Sequence, residues 1–299
     1  MLYFLACPRT IFQNSIEGTT AKQLSAAIHR IIEGFRGPIL LSVAEGRTVG
    51  DFERTTQIIS AHPTFDEENK SKYLFHYQPN LSFTSDKIAE ITSRFIVKQF
   101  RNYVQYYLGS GYLEPSTTGF IFQAVFHDLF ISYKSSSGPL KLTVRELGLS
   151  KHDSFTMDVS PMVNSVVDFA SNQYADGLDK LVLKENVYYY PNNKNFPFID
   201  GFIIKNGILT LFQVTVSRTH STSRSGLDSV MEKFYNNESI SSLKETASKL
   251  IFCVHEEDIA KQYELQSYSG VSKCKVDHLQ KIQQFVSFID VAALSNSKS

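Results

Sequence analysis

The sequence predicts an α/β protein, a mixed β-sheet flanked by helices behind a helical N-terminal region. Three observations carry this. Two nearly continuous apolar runs, residues 196–204 and 208–216, are joined by Lys205-Asn206-Gly207, the composition of covered strands linked by a tight hairpin. The first hundred residues instead space their apolar side chains three and four apart, which is helical periodicity. After the hairpin a helix-spaced stretch, 227–234, precedes another apolar run, 249–254, and such alternation of helix and strand builds a sheet covered by helices.

Residues 20–35 place Leu24, Ile28, Ile31, Ile32 and Phe35 on one helical face, and Gly34 with Gly37-Pro38 ends the run. Residues 37–48 superficially suggest a phosphate loop, but the glycine spacing is wrong and Arg47 stands where a lysine is needed, so they read as a turn and a strand. A longer helix is predicted over 85–108, with Ile88, Ile91, Phe95 and Val104 on one face and Arg94, Lys98, Arg101 and Gln105 on another. That modest basic stripe is what a solvated helix surface carries. Residues 109–118, rich in Gly, Ser, Thr and Pro, read as a connection, dividing the chain into an N-terminal region, 1–110, and a second domain, 111–299. Residues 119–133 form a helix apolar all round, hence buried. Strands are expected at 141–147, 154–159 and 181–183. An amphipathic helix over 276–293, with Leu279, Ile282, Phe285, Val286 and Ile289 on its apolar side, closes the chain before a polar tail, 295–299.

The chain of 299 residues is 42% apolar and 20% charged, the balance of an ordinary globular protein long enough for two domains. Basic and acidic residues number 30 each, so nucleic acid can be attracted only by local patches, not by a whole-molecule field. Cys7, Cys253 and Cys274 are few and far apart, with no CxxC pair for zinc or redox chemistry. The apolar start 2–7 is too short for a signal core and is stopped by Pro8-Arg9, and no run approaches a membrane span; a soluble protein without membrane partners is expected. Hydrolase elbows, HExxH and dinucleotide fingerprints are missing, as is GxxxxGK[ST].

The hairpin fixes a register. Asn206 and Gly207 both tolerate the positive φ of a type I′ turn, so Ile204 faces Leu209, Phe202 faces Leu211 and Asp200 faces Gln213. An ionised carboxylate among so many apolar neighbours needs a cation or donors, which places Asp200 at the open end of its strand. Two readings fit the pair: a cross-strand hydrogen-bonded pair closing the sheet, or a site for a metal or phosphate. Tyr188, Tyr189 and Tyr190 can stack on bases or fill the core. Lys180, Lys184, Lys194, Arg218 and Arg224 can line a phosphate-facing rim, but Asp179, Glu185 and Asp228 are interspersed as on any mixed surface.

The order buried helix, strand, hairpin, helix, strand is similar to the PD-(D/E)XK, or restriction-endonuclease-like, core. More specifically, Phe196-Pro-Phe-Ile-Asp200-Gly-Phe-Ile-Ile, then Leu211-Phe-Gln213-Val-Thr215-Val-Ser-Arg-Thr-His220, resembles the nuclease-like domain of Crinkler effectors and retrotransposon hot spot proteins. Their aspartate likewise follows a proline-aromatic segment and precedes a Gln-x-Thr strand and a histidine. Gly119-Phe-Ile-Phe-Gln123-Ala-Val-Phe-His127 looks like their preceding helix, which usually reads Phe-Glu. The resemblance spans about 119–255; the opening Leu5-Ala-Cys-Pro-Arg-Thr-Ile-Phe also looks similar to the segment that follows the NTPase core of such proteins.

This resemblance implies metal-dependent phosphodiester hydrolysis of DNA or RNA. Asp200 and Gln213 would hold Mg²⁺ or Mn²⁺, with Thr215, Gln123 and His220 completing the site and Lys194, Arg218 and Arg224 contacting nucleic acid. It also implies a secreted effector working in a host nucleus, with host nuclear proteins as further partners. The departures are neutral residues: Gln123 replaces the helix glutamate, and Thr215 stands where a PD-(D/E)XK site usually has lysine. Lys205 falls on the opposite strand face, whereas Lys194, Lys233 or His220 can reach in. The alternative implied is an inactive nuclease-like effector that binds nucleic acid or a host protein.

Overall fold

A computed structural model describes residues 59–62, 80–83, 86–99, 101–109, 113–149, 153–162, 165–169, 178–191, 196, 198–218, 222–239, 247–269 and 278–291. The chain divides into two compact units, residues 1–124 with 291–299 and residues 125–290. The division falls later than the 109–118 connection, inside a helix. The predicted helix over 20–35 and the turn and strand over 37–48 lie outside the described residues.

In the first unit, β1 (Ile59–His62) and β2 (Asn80–Phe83) pair antiparallel, two strands that the sequence reading of this region did not include. The predicted helix over 85–108 is α1 (Asp86–Gln99) and α2 (Arg101–Gly109). Ile88, Ile91, Val97 and Val104 are buried, while Arg94, Lys98 and Gln105 are exposed and Arg94 pairs with Glu90 at 3.3 Å. A basic stripe with its own i,i+4 carboxylate is a solvated helix face.

Helix α3 (Pro115–Ile131) starts four residues before its expected position. Pro115 suits the first turn, where its missing N–H costs nothing, and the Glu114 carbonyl accepts from Thr118 N at 3.0 Å. The helix is not buried all round: Ile121, Phe122, Val125, Phe126 and Phe130 are, but Gln123, Asp128 and Leu129 are half-buried and Ile131 is exposed.

The second unit is built on a mixed eight-stranded sheet ordered β4-β3-β12-β10-β8-β7-β6-β5. Its strands are β3 (Lys141–Glu146), β4 (Ser154–Asp158), β5 (Val166–Phe169), β6 (Tyr188–Pro191), β7 (Gly201–Lys205), β8 (Ile208–Val214), β10 (Ser248–Val254) and β12 (Ile282–Phe288). β6, β7 and β8 form an antiparallel meander, while β10 lies parallel to both β8 and β12. A short parallel pair, β9 (Thr222–Ser223) with β11 (Tyr268–Ser269), stands apart.

Each face of the central strands takes a helix. On one, Phe202, Ile204, Leu209, Leu211, Leu250 and Phe252 share a core with Leu227, Val230, Met231 and Phe234 of α4 (Arg224–Asn236). On the other, Phe212 lies 5.4 Å from Phe126 and 5.5 Å from Phe130 between ring centroids, both on α3. A central strand covered twice must be apolar on both sides, which is why β8 reads as a continuous run. Beyond β10 lies α5 (Glu257–Gln262), whose final carbonyls, with that of Tyr263, meet Arg145: its guanidinium donates to the Ala260 and Tyr263 carbonyls at 2.7 and 2.8 Å.

The expected closing helix over 276–293 is instead a 3₁₀ turn, His278–Lys281, followed by strand β12. Its misleading feature is Gln284, a buried polar residue between Ile282 and Val286. Gln284 accepts from Gln266 N and donates to the Gln266 carbonyl, both at 2.9 Å. This satisfied amide broke the apolar alternation and made a buried strand look helical. Residues 181–183 form no strand; they follow a 3₁₀ turn, Leu178–Lys180, with Val182 exposed. The edge strand β5 was not expected. Among the described residues no helix is long and apolar enough to cross a membrane.

The hairpin turn has the expected chemistry, with Asn206 at φ 52° and Gly207 at φ 70°. Nothing lies within 4 Å of a Cβ added at Gly207, so Gly207→Ala meets only the left-handed penalty. It should lower the unfolding free energy by about 1–2 kcal/mol, read from the urea midpoint at unchanged m-value.

Candidate functional site

Register carries the site. β7 and β8 pair Lys205 with Ile208, Ile204 with Leu209, Phe202 with Leu211 and Gly201 with Phe212. One step beyond, Gln213 Nε2 donates to Asp200 Oδ2 at 3.0 Å, and Val214 N donates to the same oxygen at 2.6 Å. Asp200 N donates to the Phe212 carbonyl at 2.8 Å. The carboxylate thus ends the hairpin, as the sequence required.

The chain enters this position under strain. Phe198 has φ 73°, a region that bulky side chains avoid and that collects at functional sites. Asp200 retains some accessible surface although protein closes around its carboxyl group. Burial pushes its pKa up to about 7, against the opposing pull of the Val214 N–H. Gln213 is buried, and its Oε1 has no hydrogen-bond partner among the described residues. An amide nitrogen is therefore committed to the carboxylate while its oxygen remains an unused hard acceptor.

Thr215 follows β8 directly and is buried, its Oγ1 accepting from Ser217 N at 3.1 Å. Its hydroxyl closes the turn after the strand. Gln123 is half-buried on α3, one helical turn before His127. Arg218 is exposed, whereas Arg224 at the start of α4 is half-buried with Nε 3.9 Å from Asp228 Oδ2. Lys194 and His220 lie outside the described residues. Lys205 pairs with Asp158 at 2.8 Å; burial raises Asp158, but the hydrogen bonds from Lys205 and Ser160 outweigh it and hold that carboxyl at about 2. Lys180 and Lys184 are exposed. Tyr188, Tyr189 and Tyr190 are all buried, so all three are core side chains rather than a stacking platform.

Two polar residues stand differently from their sequence reading: Asp228, read as part of a mixed surface, and His127, given no role in its apolar helix. Asp228 is fully buried, and neither carboxylate oxygen has a hydrogen-bond partner among the described residues. Its signal was an acid at core spacing between Leu227 and Met231. His127, buried on α3, meets the Tyr188 hydroxyl through Nδ1 at 2.8 Å. Its signal was a histidine inside an otherwise apolar helix. Among the described residues no three His, Cys, Asp or Glu side chains gather as a metal-binding group.

Comparison of the chain with family models, with curated proteins and with solved structures finds no match.

The elevated Asp200 pKa sets a stability slope. The native state holds this proton more tightly than the unfolded chain, so the group's contribution is fully favourable below about pH 4 and is lost as pH rises through 7. In chelator, Asp200→Asn should be more stable than wild type at pH 8 by about 2–4 kcal/mol, the difference shrinking towards pH 4. A gap that does not vary with pH, measured by denaturant titration, contradicts this.

Proposed function

We propose that the second domain is a PD-(D/E)XK-like nuclease domain of the Crinkler and retrotransposon hot spot kind, cleaving DNA or RNA with Mg²⁺ or Mn²⁺ held between Asp200 and Gln213. Supporting it are the apolar helix α3, the meander β6-β7-β8, helix α4 and the parallel strand β10, the order of elements that such a core has. The observation that carries it is Gln213 Oε1, a buried acceptor without a hydrogen-bond partner beside an ionisable carboxyl group. A carboxylate and an amide oxygen suit a hard divalent cation, which keeps several waters when the protein supplies few ligands.

When bound, the ion supplies an activated water and charge for the departing oxygen. The chain's own part is to orient and to manage a proton. Val214 N–H and Gln213 Nε2 fix one carboxylate oxygen. With Asp200 titrating near 7, proton and cation compete for it. Mn²⁺ affinity should therefore fall about fivefold between pH 7 and pH 6, and about tenfold for each further unit below that, read by calorimetry, and Asp200→Ala should abolish the binding heat.

Purified protein should nick plasmid or degrade RNA with Mg²⁺ or Mn²⁺ and stop on adding chelator. Intact nucleic acids, or cleavage that survives Asp200→Ala, would sink the proposal. One observation favours a second reading, an inactive domain that binds nucleic acid or a host protein: Thr215 has its hydroxyl committed to Ser217 N in the place a lysine usually takes. Binding without cleavage, indifferent to chelator and to Asp200→Ala, would identify it. The resemblance alone suggests a host-targeted effector acting in the nucleus, which tagged expression in host cells would test.

A further inference from the structure

We infer that Tyr188, clamped by His127, is a positioning residue that sets the direction of Asp200 through Gly201; the inference rests on the proposed role of Asp200. Tyr188 has no exposed surface. Its ring is stacked on Phe130, centroids 3.8 Å apart and planes 8° apart, with Tyr190 stacked at 6.0 Å. Its hydroxyl is tied to His127 Nδ1 at 2.8 Å, and His127 lies 4.8 Å from the Tyr190 ring. Ring and hydroxyl are both fixed, leaving the phenol no way to swing.

The fixed oxygen reaches the strand beside the carboxylate. A Cβ added at Gly201 would overlap the Tyr188 hydroxyl and come within 2.8 Å of its Cζ, closer than real Cβ contacts. Gly201 is thus a glycine of close approach. β6 pairs Tyr188 with Ile203 and Tyr189 with Phe202, so the backbone ladder sets the strand's register while the hydroxyl sets its end.

Between strained Phe198 and close-packed Gly201, the Asp200 backbone has little freedom. Helix α3, through His127, therefore holds the carboxylate it does not itself carry. Supports of this kind are worth about 10–100-fold in metal affinity.

The test uses the full chain and three variants: Tyr188→Phe, Gly201→Ala and the double variant. In metal-free protein, NMR follows the Gln213 side-chain amide and the Asp200 and Val214 backbone amides; calorimetry then measures Mn²⁺. Tyr188→Phe keeps the ring packing and should displace these amide signals while weakening Mn²⁺ about tenfold or more. Gly201→Ala should do more, and Tyr188→Phe added to it should restore part of both, because the overlapping oxygen is gone. A merely structural tyrosine would leave the signals and affinity of Tyr188→Phe at wild-type values and give no rescue, which overturns the inference. If Gly201→Ala fails to fold, the single Tyr188→Phe decides. If wild type binds no Mn²⁺ but the amide signals move, the metal reading falls and the positioning role stands; if wild type binds and the signals do not move, the reverse holds.

Discussion

Two residues in the left-handed region, Asn206 and Gly207, decide which side chain meets which along β7 and β8. A turn of this kind matches the twist of the strands it joins, so the pairing runs outward from it without slippage. A shift by one residue would send Phe202, Ile204, Leu209 and Leu211 to the opposite face and away from α4. The apolar core and the polar end of the hairpin are therefore the same constraint seen from two sides. Packing against α4 fixes the register, and the register delivers Asp200 to Gln213.

What is delivered differs from a pair of carboxylates. Two acids side by side repel, and one of them must keep a proton or find a cation. Here the second residue is an amide, whose Nε2 donates to Asp200, so the pair can stand without an ion. The stabilisation is partial. One carboxylate oxygen takes two donors, yet burial still holds the group at a pKa of about 7. The amide that supports the carboxylate also leaves Oε1 without a hydrogen-bond partner. A proton relieves the first deficit only, whereas an oxygen-seeking cation would relieve both.

Legibility followed the range of the physics. Turn chemistry is local, so the hairpin, its register and the Asp200–Gln213 contact could be read from residues 200–213. β3, by its alternation, and β10, by its apolar run, could be read as well. β12 could not, because Gln284 looks like a break in a buried strand until Gln266, far along the chain, is seen to satisfy it. The tyrosines show the same limit. Alternation could bury only part of Tyr188-Tyr189-Tyr190, but sheet and helices on both faces bury all three. Nor could a sequence show that Gly201 is small because a hydroxyl from another strand occupies its side.

Charge decides what such a site can receive. Asp200 is the acid, Gln213 is neutral and the Thr215 hydroxyl is engaged with its own turn. Of the described cations, Lys205, at the far end of β7, pairs with Asp158, and Arg224 sits against Asp228. A phosphate approaching alone meets the Asp200 carboxylate, an unfavourable encounter in a partly buried setting. A phosphate arriving with a divalent ion meets two oxygens able to share that ion. Under the proposed function, a metal and a phosphate would then be taken together more readily than either alone, so dependence on a divalent ion would belong to binding as well as to cleavage.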